Sequence, residues 1–185
     1  GGAQGIGKTI AEEFQKQGAL VCSIDKQPGG YFTGDLAQQD TLERFAQKVI
    51  AEYGHVDYLI NNIFLKELPL SIFHLLVTVW ASRKQKATKG GISALTHGLA
   101  VSLAGRVRVN SISPGWIDTD FTEYIGADAM QQPVHRVGNP MDIANMALFL
   151  CSEKAGFITG ENICIDGGMT KQMIYHGDWG WTFDI

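Results

Sequence analysis

The chain has 185 residues, 45% hydrophobic and 18% charged, enough for one sizeable core, and is read as a single domain over 1–185. A net charge of −4 and a pI near 5.7 argue against nucleic acid or anionic membrane as a partner, and no basic run offsets them. No apolar stretch of about 18 residues and no leader pattern occurs, so a cytoplasmic protein without membrane attachment is expected. The three cysteines, Cys22, Cys151 and Cys164, sit in apolar segments without metal-ligand spacing, so reduced, buried packing thiols and no metal site are expected.

The string Gly1-Gly2-Ala3-Gln4-Gly5-Ile6-Gly7 reads as a tight phosphate-binding turn running into a helix. Gly1 lets the chain reverse, Gly5 lets backbone approach a pyrophosphate, and Gly7 lets the helix lie close on a sheet. Unpaired N–H groups at the helix start then face the phosphates. With 22 glycines in the chain a plain turn is the alternative, and the flanking residues favour the phosphate-binding turn over it. Residues 8–17 carry Ile10 and Phe14 on one helical face, with Ile6 a turn earlier, and Gly18 stops the helix. A buried strand over 19–24 follows and ends at Asp25. That carboxylate stands about 20 residues after the turn, where it can accept hydrogen bonds from an adenosine ribose. An ordinary solvated loop acid is the alternative.

Residues 31–34 form a short strand-like run, with Asp35-Leu36 at its end where a nucleotide base would lie; a turn acid is the alternative for Asp35. From 40 to 53 the set Leu42, Phe45, Ala46, Val49, Ile50 and Tyr53 fits an amphipathic helix, ended by Gly54. A buried strand over 56–60 closes on Asn61-Asn62, whose amides can tie neighbouring loops beside a cofactor. Such alternation of apolar strands with helices implies an α/β parallel sheet covered on both faces. Residues 63–89 are too few to hold a crossover helix, a strand and a loop, and the strand-like material before Ala81-Ser82 is confined to 75–80.

A long helix follows from Thr88, with the apolar stripe Ile92, Leu95, Leu99 and Leu103 and Gly105 at its end. A strand over 107–112 leads into the loop carrying Pro114, Gly115, Ile117 and Thr119. Residues 120–137 lack a sustained period and read as a mobile lid or partly ordered loop over a site. Gly138-Asn139-Pro140 caps a further helix with Ile143, Ala144, Ala147, Leu148 and Cys151 inward, and a last strand over 162–165 is closed by Asp166-Gly167-Gly168. The aromatic tail, Tyr175, Trp179, Trp181 and Phe183, calls for a neighbouring subunit as cover. His97 and His135 are read as packing or interface residues.

In order and spacing, the glycine turn, Asp25, Asp35-Leu36, Asn61-Asn62, Thr88-Lys89-Gly90-Gly91, Arg108-Val109-Asn110, Pro114-Gly115, Arg136-Val137-Gly138, Thr159-Gly160 and Asp166-Gly167-Gly168 resemble the short-chain dehydrogenase/reductase family. The resemblance is to its compact single-domain branch. It implies a Rossmann-like doubly wound parallel sheet with helices on both faces, and hydride transfer between a nicotinamide cofactor and a carbonyl or secondary alcohol substrate. It places Gly1, Gln4, Gly5, Ile6 and Gly7 on the phosphates, Asp25 on the ribose, Asp35 and Leu36 at the base, and Asn61 beside the cofactor. Pro114, Gly115, Ile117 and Thr119 would line the nicotinamide. Lys89 would hold the nicotinamide ribose and lower the pKa of a catalytic tyrosine, and Ser82 would hydrogen-bond the substrate oxygen. Asp25 looks like a preference for NAD over NADP, because a carboxylate welcomes free ribose hydroxyls and repels a 2′-phosphate. A homodimer or homotetramer is expected.

The chain departs from the family pattern at five places. The tyrosine expected four residues before Lys89 is Gln85, and Ser82 stands three residues from it instead of about a dozen. Trp80 replaces an expected asparagine, Ile63-Phe64 replaces Ala-Gly, and the first strand before Gly1 is absent. All fall at loop or terminus positions, so the first strand and some loops are read as missing, with breaks expected at 27–31, 63–71, 79–89 and 120–132. The alternatives are a catalytically inactive NAD-binding pseudoenzyme and a nucleotide-sensing module.

Overall fold

The computed structural model describes residues 1–62, 77–79, 86–120, 126–175 and 177–180. In chain order the elements are α1 (Gly5–Lys16), β1 (Ile24–Asp25), β2 (Phe32–Thr33), α2 (Gln39–Tyr53), β3 (Ile60–Asn61), β4 (Val77–Val79), α3 (Lys86–Ser102), β5 (Asn110–Pro114), α4 (Ala127–Met130), α5 (Pro140–Cys151) and β6 (Asn162–Ile165). Every strand pair is parallel. β3-β4-β5-β6 form one sheet and β1-β2 a second, which is the α/β alternation read from the sequence. Gly1 stands between the two sheets: its nitrogen donates to Ile24 O at 2.7 Å, and its carbonyl accepts from Asn62 Nδ2 at 3.0 Å.

The core lies where α1 and α5 pack on the larger sheet. Ile6, Ile10 and Phe14 of α1 meet Ile143, Ala144, Ala147 and Leu150 of α5 over Ile112 of β5. Each fully buried isoleucine contributes roughly 1.5–3 kcal/mol relative to exposure. The two alanines let the helices approach closely, which fixes the start of α1 relative to the strand ends. α5 begins as the sequence predicts. Asn139 accepts from the N–H groups of Met141 and Asp142 at 3.0 and 3.3 Å, Asp142 accepts back from Asn139 N–H at 2.8 Å, and Pro140 occupies the first turn. Arg136 then grips Asp142 through two 2.7 Å bonds.

Several expectations are corrected. The strand read over 19–24 shrinks to Ile24–Asp25 and that over 56–60 to Ile60–Asn61; Leu20 is 78% exposed, and Val56 and Tyr58 are about half exposed. Apolar runs supplied the pattern, but a ladder also needs a neighbour to bond, and β2 offers β1 only two residues. The strand read over 107–112 starts later, at Asn110, because Val109 N–H is taken by Thr159 Oγ1 (3.1 Å) and Asn110 Nδ2 by Ile158 O (3.0 Å). Ile92, Leu95 and Leu99 of α3, with Leu103 just past its end, are half-buried, while the deepest of its described side chains are Thr96 and Ala100. Thr96 tolerates burial because its hydroxyl donates to Ile92 O at 2.8 Å. On α2, Val49 is buried but Ala46 and Ile50 are exposed, the two-stranded sheet being too narrow to cover the whole stripe. Phe45 instead packs its ring on Phe32 and Tyr31.

The segment 126–137, read as a loose lid, holds α4 and buries Ala129, Gln131 and Gln132. Gln132 donates its backbone N–H to Ala129 O at 3.3 Å, and its amide, turned so that the nitrogen faces the carbonyls, reaches Asp128 O and Ala129 O at 2.9 and 3.0 Å. All three thiols are free, but Cys22 and Cys151 are only half-buried and Cys164 is exposed, so none is a fully buried packing residue. His97 and His135 are also exposed. At 27–31 the chain passes through bends into β2, Phe32 N–H reaching Ser23 O at 2.9 Å. Ser82, Gln85, Trp80, Ile63, Phe64, Trp181 and Phe183 lie outside the described residues, as do the other places where breaks were expected, in whole or in part.

Candidate active site

The site is built at the C-terminal ends of the parallel strands, where loops leave the sheet. At its centre Gln4, in an extended conformation, precedes α1 without any side-chain cap, and the first turn carries no acidic residue. The first i→i−4 bond runs from Lys8 N–H to Gln4 O, so the N–H groups of Gly5, Ile6 and Gly7 point out of the helix end. Gly5 has φ +54, a conformation that glycine adopts without strain. At Gly7 a side chain would run into the Gly1 carbonyl and the Asn62 amide. Glycine there is what allows α1 to start against the end of β3. An open, uncapped helix start without a carboxylate is a ready anion site.

Asp25, the last residue of β1, reaches this turn. Its Oδ2 accepts Ala3 N–H at 3.1 Å and lies 3.3 Å from Gly1 N, and its Oδ1 accepts Gln27 N–H at 3.0 Å. Burial pushes this carboxyl upward, but the N–H groups of Gln27 and Ala3 and the Gly1 nitrogen outweigh it and hold it below its ordinary value. A carboxylate has about four acceptor positions, so both oxygens keep room for hydroxyl donors. Asp35, two residues beyond β2, accepts Ala37 N–H on Oδ1 at 2.9 Å and pairs with Lys26 Nζ through Oδ2 at 3.0 Å. Those two contacts, Ala37 first, lower its pKa. Leu36 beside it is half-buried.

The far side of the site comes from β5, whose last residue, Pro114, is buried. Gly115 follows with its N–H on Ile165 O at 2.9 Å. Ile117 bridges to Gly138, with Asp118 N–H on Gly138 O at 2.8 Å and Gly138 N–H on Trp116 O at 3.0 Å. This pairing carries the loop back over the glycine turn: a Cβ on Gly5 would stand 3.5 Å from Thr119 Cγ2. The structure therefore brings Gly1, Gln4, Gly5, Ile6, Gly7, Asp25 and Thr119 into one neighbourhood.

The amide tie between β3 and the turn belongs to Asn62, not Asn61. Alternation along the chain sends the two side chains to opposite faces, and their adjacency alone does not say which one meets Gly1. Lys89 falls in the first turn of α3, its side chain outside the described residues, and Ser82 lies outside them as well. Among the described residues no cluster of three or more His, Cys, Asp or Glu could hold a metal. No helix among them is long and apolar enough to cross a membrane.

Known proteins fit this geometry. Residues 68–170 match the family model described as enoyl-(acyl carrier protein) reductase. An uncharacterized oxidoreductase of Thermotoga maritima is 33% identical over 95% of this chain and 95% of its own length. The matched span is 245 positions against 185 residues here, so the relative carries internal segments with no counterpart in this chain. The 3-oxoacyl-[acyl-carrier-protein] reductase FabG of the same organism is 27% identical, covering 91% of this chain and 95% of its own. Among solved structures, an apo SCOR enzyme from Clostridium thermocellum superposes with a TM-score of 0.80 at 34% identity, covering 100% of this chain and 96% of the other.

Proposed function

The chain belongs to the short-chain dehydrogenase/reductase family, an oxidoreductase transferring hydride between a nicotinamide cofactor and a carbonyl or secondary alcohol carbon, and within that activity we propose that it uses NAD rather than NADP. The observation behind the NAD preference is the Asp25 carboxylate, held at the end of β1 by Ala3 and Gln27 beside the open start of α1. A ribose with free hydroxyls gains two donors to that carboxylate, whereas a 2′-phosphate meets its charge.

The residues divide the work as follows. The outward N–H groups of Gly5, Ile6 and Gly7, with Gln4 and Gly1 shaping the turn, receive the pyrophosphate oxygens. Asp25 accepts from the adenosine ribose, and Asp35 and Leu36 border the base. Asn62, beside Asn61, fixes the turn against β3, while Pro114, Gly115, Ile117 and Thr119 wall the far side. A bound nicotinamide supplies or accepts the hydride. Lys89 holds the neighbouring ribose and favours deprotonation of the group that exchanges the substrate proton, and Ser82 hydrogen-bonds the substrate oxygen. The family's tyrosine has no counterpart at Gln85. That substitution is what would favour a catalytically inactive nucleotide binder, a reading not favoured by relatedness to an oxidoreductase across 95% of the chain.

The three free thiols suit a reducing, cytoplasmic setting for this single domain. Exposed Phe157, Met173 and Tyr175 suit a homo-oligomer, dimer or tetramer. The partner in catalysis is a small carbonyl or alcohol compound.

Titration of the purified protein with NADH and NADPH, following nicotinamide fluorescence, tests the cofactor reading. NADH is expected to bind more tightly, and Asp25→Ser to narrow the gap by about tenfold, or 1.4 kcal/mol. An unchanged ratio in Asp25→Ser would remove Asp25 from the ribose. Oxidation of a panel of sugar, steroid and small secondary alcohols with NAD tests turnover itself.

A further inference from the structure

Lys26 and Asp35 are joined by a contact that no motif contains. Lys26 directly follows Asp25, and the parallel register Asp25↔Thr33 sets the loop after β1 beside the loop after β2. There Lys26 Nζ stands 3.0 Å from Asp35 Oδ2, while the other Asp35 oxygen is fixed by Ala37 N–H at 2.9 Å. On its other flank Gln27 is tied twice toward the glycine turn: its backbone N–H to Asp25 Oδ1 at 3.0 Å, and its side chain to Gln4 Oε1 at 3.5 Å. The Lys26 backbone is thus pinned beside the ribose acid, and its ammonium is drawn across to the second loop.

We infer that Asp35 is a cofactor-specificity residue acting through Lys26, by holding away from the ribose the one ammonium that follows Asp25 directly. This rests on the reading of Asp25 as the ribose acid. A 2′-phosphate placed at Asp25 carries roughly 1.5–2 negative charges and attracts a nearby ammonium. Lys26 has a four-carbon stem and is anchored one residue from Asp25, so it is sterically the nearest candidate to swing onto that phosphate. To do so it must leave Asp35. The chain therefore opposes NADP twice, once by repulsion at Asp25 and once by sequestering the cation that would neutralise the phosphate. The Lys26 and Asp35 side chains are 69% and 37% exposed, so the pair is screened and breakable, and its share of the discrimination is small.

The experiment is a double-mutant cycle read by binding. Dissociation constants for NADH and NADPH, and for 5′-AMP against 2′,5′-ADP, are measured by calorimetry on the wild type, Asp35→Asn, Lys26→Met, the double variant and Asp25→Asn. Asparagine at 35 keeps an acceptor for Ala37 N–H, and both side chains are solvent-facing, so folding is retained; thermal melts verify this. Asp35→Asn is expected to tighten NADPH relative to NADH by about 2- to 5-fold, the range an exposed ion pair supplies. In the double variant that gain is expected to vanish. A gain that persists without Lys26 would show direct repulsion by Asp35 and overturn the proposal, as would no gain at all. If Asp25→Asn shifts the ratio while Asp35→Asn does not, only this inference fails. If Asp25→Asn also leaves the ratio unchanged, the ribose reading beneath it fails too.

Discussion

Gly115 lies directly against Asp166 where β5 and β6 end: a Cβ on Gly115 would stand 2.5 Å from Asp166 Cβ. Backbone at the end of one strand and the Cα and Cβ of the residue that follows the next share a space that admits no methyl group. Because Gly115 N–H also bonds Ile165 O, neither partner can retreat without breaking the last rung of the ladder. Gly115→Ala is therefore expected to cost about 1–3 kcal/mol by overpacking and to weaken NADH binding. Chemical denaturation and a binding titration on the same sample check both effects. Full stability in the alanine variant would mean the strand ends move apart freely.

Asp166 gives the fold an acid-sensitive joint. Burial raises its pKa, but the Thr170 hydroxyl and N–H and the Gly168 N–H outweigh burial and bring it to about 2 from an ordinary 3.8. A carboxyl with a folded pKa below its unfolded one stabilises the fold above the unfolded value and loses that contribution as pH falls through the folded one. Stability is thus expected to drop between about pH 4 and pH 2. In Asp166→Asn the part of that drop due to this residue should be gone. Urea midpoints at pH 6, 4 and 2.5 for both proteins measure the difference. Asp142, held low by Arg136 against burial, contributes in the same direction, so some acid sensitivity remains in the variant.

His135 has φ +56, the left-handed region where a side chain is strained, and its side chain is exposed. Its N–H bonds Gln132 O at 2.7 Å, which fixes the turn. His135→Gly is expected to relieve strain but enlarge the unfolded ensemble, leaving a gain of at most about 1 kcal/mol, and His135→Asn to be neutral or slightly stabilising. A lower melting temperature in both variants would show that the imidazole makes a contact worth more than the strain.

What the sequence revealed was whatever depends on neighbours along the chain. The Asn139-Pro140 start of α5, the glycine opening α1 and the Asn162–Ile165 strand were legible because a cap, a turn or a bounded apolar run specifies itself locally. Leu20 and Val56 misled because hydrophobic runs report a tendency to be buried, whereas a ladder needs a partner that sequence does not locate. Asp25 was found from its distance to the turn, but the tie of Asn62 to Gly1 was not separable from Asn61. Lys26 left no signal, since its pairing with Asp35 exists only through the β1–β2 register. Gln131 and Gln132 fall in the stretch whose missing period suggests a loop, yet both are buried.

The packing of α1 on α5 couples the glycine turn to a helix remote from it. Ile6 and Ile10 of α1 rest on the same cluster as Ile143, Ala144, Ala147 and Leu150, so the helix start and α5 are coupled in opening. A nucleotide at 100 times its dissociation constant adds about 2.7 kcal/mol to the folded state. Through the shared cluster, that increment is expected to slow amide hydrogen exchange along α5 as well as at the turn. Protease resistance of the 140–151 segment thereby becomes a remote gauge of whether the glycine turn is filled.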